Sequence, residues 1–313
     1  MSARETPKER LAYHAYATAE RLAMRLPERW SQALFRGVAD AAFAVAPGVR
    51  RVVEANIGRV MGRDPGSPLV RATTREAFRS YARYWYDTFR LRGMPDEEVL
   101  RRMRCEGIER LERAADDGRG AILALPHLGN WDAAGKWVHL RGWRITAVAE
   151  VLRPERLFEL FLRHRRELGM NIVPLWDARK VGEELVALVA QNHFIALVSD
   201  RDLKGRGVEV EMFGAKRRLP VGPALLSLAT GSPLHACAVY DTDDGWTIFI
   251  GERLEVERTG QLRRDVTALT QKLAAAFERS IEAAPTQWHM FQPAWEEEPE
   301  AVVADVERSA APA

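Results

Sequence analysis

The feature that most constrains this chain is a change of hydrophobic period at Gly120. Before it, apolar residues recur at helical spacing; after it, short β-type runs alternate with helical stretches. The runs are AILAL at 121–125, ITAVA at 145–149, NIVPL at 171–175, FIALVS at 194–199 and VEVEMF at 208–213, with helical patterns over 130–141, 155–168 and 179–192. This alternation predicts an α/β fold: a mixed, mainly parallel central sheet with helices on both faces, preceded by an α-helical N-terminal region. In such sheets ligands bind beyond the carboxyl ends of the strands, which is where a site is to be sought. Two further runs, 234–240 and 246–251, flank the polar turn DTDDG and predict a hairpin. A last helix is expected over 264–283, before the block WHMFQPAW at 288–295.

Upstream, residues 8–46 read as two helices broken at Pro27. The second carries Trp30, Leu34, Phe35, Val38, Ala42 and Val45 on one stripe. That stripe can pack on a core or lie on a membrane surface, and the residues alone leave both readings open. Helices are also expected over 69–91, with Tyr81, Tyr84, Trp85 and Phe89 at turn spacing, and over 107–117. A single domain over 1–295 is expected, helical over 8–117 and α/β over 118–295, with a disordered acidic tail over 296–313.

Charge excludes some classes of partner. Across 313 residues the net charge is +2, so no global field marks a nucleic-acid binder, and an anion site must arise from local clustering. No apolar run approaches the ~18 residues of a spanning helix, and Glu20, Arg21 and Arg25 interrupt the N-terminal apolar stretch too early for a signal-peptide core. Cys105 and Cys237 lack disulfide or metal spacing and are expected to be buried thiols in a reducing cytoplasm. His14, His139, His164, His193 and His235 also lack metal spacing, so no metal is expected.

Chemistry concentrates in AILALPHLGNWDAAGK at 121–136. The strand ends at Leu125, a helix begins near Asn130, and His127 sits between them. Asp132, five residues later, can reach the imidazole, fixing its tautomer and raising the basicity of its other nitrogen. Gly129 would leave room for a bulky substrate, and the helix start would offer N–H groups to an oxyanion. The plain alternative is an ordinary loop histidine followed by a first-turn acid favoured by the helix dipole.

PHLGNWD resembles the His-X4-Asp motif of the lysophospholipid-acyltransferase-like superfamily. Within it, the branch holding lipid A late acyltransferases and actinobacterial phosphatidylinositol mannoside acyltransferases is the nearest likeness. VAEVLRPE at 148–155, RRELGMNIVPL at 165–175, SDRDL at 199–203, FGAKRRLPVGPALL at 213–226 and WHMFQPAW carry the finer match to the mannoside enzymes. The resemblance covers about residues 10–295. It implies an acyl-CoA co-substrate with no resident cofactor, a mannose hydroxyl of a mannosylated phosphatidylinositol as acceptor, and peripheral attachment to the anionic cytoplasmic face of the plasma membrane. His127 would be the general base and Asp132 its motif partner, with Glu150 and Asp200 at acidic active-site positions. Asp200 stands where the mannoside enzymes carry a glutamate, and its shorter side chain leaves open which acid orients His127.

A thioester is already activated, its thiol leaving group having a pKa near ~8.5, so a hydroxyl deprotonated by His127 can displace it directly. No Gly-X-Ser-X-Gly elbow is present. Arg153 and Arg165, and Lys216, Arg217 and Arg218, are candidate partners for acyl-CoA or phosphate; Arg163 and Arg166 share the Arg165 helix and can equally be solvated. Asn130, Trp131 and Arg201 are candidate pocket residues beside Gly129. Asp202 and His289 are expected to make structural hydrogen bonds. A monomer is expected. Two other classes remain open: an enzyme of the same scaffold acting on glycerolipid or lipid A, and a non-catalytic lipid-binding protein.

Overall fold

The computed structural model describes residues 6–202 and 205–295; the tail over 296–313 lies outside the described residues. In chain order the elements are α1 (Pro7–Arg25), α2 (Glu28–Val45), α3 (Pro47–Val60), α4 (Pro68–Leu91), α5 (Asp96–Arg102), β1 (Met103–Glu106), α6 (Ile108–Asp116), β2 (Ala121–Leu125), α7 (Trp131–Leu140), β3 (Ile145–Ala149), α8 (Glu155–Glu167), β4 (Asn171–Pro174), α9 (Ala178–Val189), β5 (Phe194–Val198), β6 (Val208–Met212), β7 (Ala215–Leu219), α10 (Gly222–Thr230), β8 (Leu234–Asp241), β9 (Trp246–Leu254) and α11 (Leu262–Ala283). Helices α3, α5 and α10 and strands β1 and β7 have no counterpart in the sequence reading.

Seven strands form the central sheet in the order β1-β9-β8-β2-β5-β3-β4. From β8 to β4 all neighbours are parallel, while β9 runs antiparallel to β8 and β1 parallel to β9. Both faces are covered, which is why the strands read as continuous apolar runs. Along β2, Ala121, Leu123 and Leu125 pack with residues of α6, α7 and α8. The alternate residues Ile122 and Ala124 pack with residues of α9, α10 and α11 on the other face. The two-residue side-chain period of a strand thus divides the core in two.

The expected strand at 208–213 does not join this sheet. Val208–Met212 pairs antiparallel with Ala215–Leu219 as a separate hairpin. Phe213 and Gly214 take φ of 52° and 67°, the left-handed values that a two-residue hairpin turn needs. The basic run at 216–218 is therefore part of a strand, and its side chains alternate between two faces.

The stripe on α2 is divided. Phe35 makes edge contacts with Tyr86 and Phe89 of α4, and Ala39 is buried among residues of α3 and α4. Trp30, Leu34, Val38 and Val45 stay exposed, at 60%, 40%, 59% and 78%. No helix among the described residues is long and apolar enough to cross a membrane.

Candidate active site

Three adjacent strands bring the site together. Leu125, the last residue of β2, is register-paired with Val198, the last of β5. His127 and Asp200 each stand two residues beyond those ends, and so become neighbours across the sheet despite 73 residues of separation. Glu150 follows Ala149 at the end of β3, the other neighbour of β5.

Asp200 is the acid that touches His127. Its Oδ1 lies 2.5 Å from His127 Nδ1, and its Oδ2 accepts the His127 backbone N–H at 3.0 Å and the Trp288 indole N–H at 2.8 Å. Arg217 donates to the Asp200 backbone carbonyl at 2.5 Å. Burial alone would push the Asp200 carboxyl up; His127, the Trp288 hydrogen bond and Arg217 outweigh it and hold it well below the ordinary carboxylate range. An ionised carboxylate accepting from Nδ1 leaves Nε2 as the basic nitrogen.

Asp132 has a different task. The expected contact with His127 is not made: its Oδ2 accepts from the Tyr84 hydroxyl at 2.7 Å and its Oδ1 from Arg165 Nε at 2.7 Å. The reason is helical geometry. Asp132 lies in the first turn of α7, where its side chain reaches toward α4 and α8 while His127 leans over β5. Burial raises its pKa, but Arg165 and Tyr84 reverse this and hold it low.

Two other expectations are corrected. Gly129 does not make room for substrate: at φ of 58°, a Cβ placed there would lie 2.1 Å from the Val239 carbonyl oxygen, so the glycine is required by close packing on β8. Asn130 is fully buried and does not line the pocket; its Oδ1 caps α7 by accepting the Ala133 N–H at 3.0 Å. That helix N-terminus is therefore partly satisfied from within.

In front of His127 lies a cavity of about 280 Å³. One wall is aromatic, from Tyr81, Tyr84, Trp85, Phe158 and Phe161; polar groups are contributed by Glu150, Arg165, Arg201 and His289, with Trp131 beside the His127 ring. Arg201 pairs with Glu150 at 3.2 Å near the rim, and Trp131 stacks on Tyr84 with centroids 4.4 Å apart. The candidate cations separate. Arg165 and Arg201 face the cavity, whereas Arg153 is exposed and not among its lining residues. Lys216 and Arg218 lie on the exposed face of β7, bonded to Glu209 and to the Gly207 carbonyl, while Arg217 points inward behind Asp200. The basic run thus does not form one anion site.

The C-terminal block contributes more than the sequence reading assigned to it. Gly129 N–H donates to the Gln287 carbonyl and His289 N–H to the His127 carbonyl, at 3.1 and 2.7 Å, so 287–289 is strapped antiparallel to the motif loop. His289 Nε2 lies 3.2 Å from Ser80 Oγ, and its buried Nδ1 has no hydrogen-bond partner among the described residues. Burial, followed by the nearby His127, pushes its pKa down to about 3, so the imidazole is neutral. Trp288 escaped notice because an indole in an apolar block reads as core; two hydrogen-bonding residues flanking it were the available signal.

The sequence model of the family described as bacterial lipid A biosynthesis acyltransferase matches residues 3–297. The chain is 38% identical over 284 residues to a phosphatidylinositol mannoside acyltransferase of Mycolicibacterium smegmatis, covering 90% of each sequence. It is 39% identical over 246 residues to a protein of the same name from Mycobacterium tuberculosis, covering 77% of this chain and 75% of that one.

Proposed function

The chain belongs to the bacterial lipid A biosynthesis acyltransferase family, and from that premise we propose that it moves a fatty acyl group from acyl-CoA to a mannose hydroxyl of a mannosylated phosphatidylinositol. The observation that carries the chemistry is the His127–Asp200 pair at the carboxyl edge of the sheet, opening on an aromatic cavity with two arginines. The names of the relatives support the acceptor.

In this reaction the acceptor hydroxyl gives its proton to His127 Nε2 and its oxygen attacks the thioester carbonyl carbon. Asp200 stabilises the imidazolium formed at that moment. As the tetrahedral intermediate collapses the C–S bond breaks, and the departing thiolate takes the proton back from His127. No covalent acyl-enzyme is formed. The neutral His289 lines the cavity, Arg165 and Arg201 offer N–H groups to phosphate or carbonyl oxygens, and the aromatic wall accepts the acyl chain.

Access to two lipid substrates calls for a membrane surface. The exposed face of α2, with Trp30, Leu34 and Val38 beside the exposed Arg25, Arg29 and Arg36, suits peripheral docking on an anionic bilayer at the cytoplasmic face of the plasma membrane.

Incubating the protein with acyl-CoA, with and without mannosylated phosphatidylinositol, tests the reading. Free thiol appearing only with the acceptor, together with an acylated mannolipid, is the expected result. Thiol release with a glycerolipid or lipid A acceptor instead would replace the proposed substrate, and saturable lipid binding with no release would replace catalysis by lipid carriage.

A further inference from the structure

We propose that the indole N–H of Trp288 is the positioning group of the His127–Asp200 pair, tying Asp200 Oδ2 to the C-terminal strap so that Oδ1 stays on His127 Nδ1. The role rests on the acyl-transfer reading above, but the hydrogen bonding it invokes exists without substrate.

Among the described residues three donors reach the Asp200 side chain: His127 N–H, His127 Nδ1–H and Trp288 Nε1–H. Two of them belong to His127 itself, one from its backbone and one from the ring being oriented. Trp288 is the one donor, among the described residues, that ties this carboxylate to a residue other than His127, on the C-terminal strap. An aspartate needs such an anchor, because the torsion that turns its carboxylate is broad rather than held in narrow wells. Asp200 also lies beyond the end of β5, where the ladder no longer constrains the chain.

The anchor is itself fixed. Trp288 is 1% exposed and bridged to Leu128 across the motif loop, and its ring meets Trp295 edge-on with centroids 6.1 Å apart. The Arg217 guanidinium lies 5.0 Å from the Trp295 ring centre and hydrogen-bonds the Asp200 carbonyl, so one cluster grips Asp200 at both backbone and side chain. Shape alone would be served by any aromatic ring. The indole N–H adds a second donor to an oxygen that otherwise has only the His127 backbone N–H, and hydrogen bonds to a buried charged group are among the stronger ones.

The test removes the N–H and keeps the shape. Trp288→Phe does so approximately, and Trp288 replaced by 3-benzothienylalanine does so with the ring volume retained, covering the case in which Trp288→Phe fails to fold. The proton between His127 Nδ1 and Asp200 is expected to give a low-field proton resonance in the substrate-free protein, lost in His127→Ala. In the benzothienyl variant it moves upfield or broadens away, and kcat falls about ten- to a hundred-fold with KM within about two-fold of wild type. A folded benzothienyl variant with that resonance unmoved and kcat unchanged overturns the proposal, as does a wild-type spectrum with no such resonance. Lack of acyl transfer by the wild-type protein would sink the proposed activity instead, and the resonance would still report whether Trp288 holds Asp200.

Discussion

Asp132 is held by Arg165, Nε to Oδ1 at 2.7 Å, and not by the histidine with which it shares a motif. The motif's two polar residues thus serve two separate networks that meet at the cavity: His127 with Asp200 and Trp288, and Asp132 with Tyr84 and Arg165.

Asp132→Asn is therefore expected to act through Arg165. Removing the carboxylate leaves a guanidinium in a largely enclosed place without its counter-charge, which costs about 3 kcal/mol when one partner of a buried pair is lost. Calorimetry should show a lowered Tm, with the Trp288-linked resonance of His127 still present. An unchanged Tm would mean that Arg165 finds another partner.

Asp200→Asn is expected to reduce acyl transfer roughly 10²- to 10⁴-fold, since an amide at that place favours the wrong imidazole tautomer and cannot stabilise the imidazolium. His127→Ala should lose at least as much, with the circular dichroism spectrum kept. Steady-state rates with saturating acyl-CoA check both. Equal rates for wild type and Asp200→Asn would remove Asp200 from the reaction.

How much of this was legible in the sequence follows from which interactions are local. Strands β2 to β5 and helices α7, α8, α9 and α11 were readable because each carries its own period, and the strand ending at Leu125 pointed directly at His127. The acid for His127 was not readable from spacing, because it depends on the register Leu125↔Val198, which only the folded sheet fixes. A five-residue separation made Asp132 the nearer candidate, yet a first-turn helical residue projects away from the preceding loop. The run at 216–218 misled for the opposite reason: three like charges in a row suggest one patch, whereas strand alternation turns Arg217 inward and its neighbours out. Glu150 and Asp200 entered through resemblance, and the structure puts Asp200 beyond the end of β5, next to β2, and Glu150 at the end of β3, on the far side of β5.

The exposed face of α2 predicts vesicle binding. Trp30→Asp combined with Val38→Asp changes two side chains that are about 60% exposed and leaves the Phe35 and Ala39 packing untouched. Sedimentation with phosphatidylglycerol-containing vesicles should show affinity reduced about ten-fold or more, with Tm nearly unchanged. Identical binding by wild type and the double variant would move the membrane contact elsewhere.

The last prediction concerns Asp87 of α4 and Asp241 at the end of β8. Burial pushes Asp241 up to about 7, with Asp87 adding to it against Arg83; burial likewise lifts Asp87 to about 6, opposed by Arg83 and Arg102. Both Asp241 carboxyl oxygens are enclosed without a hydrogen-bond partner among the described residues. A carboxyl whose folded pKa is raised binds more protons folded than unfolded, so its contribution is fully present below the unfolded value near ~4 and is lost as pH rises through the folded value. Stability is therefore expected to decline between about pH 4 and pH 7 on account of this pair. Asp241→Asn cannot ionise, so it should raise Tm relative to wild type at pH 8 and lose that advantage at pH 5. A Tm difference between the two proteins that stays constant across this range would show that Asp241 does not take up a proton in the folded state.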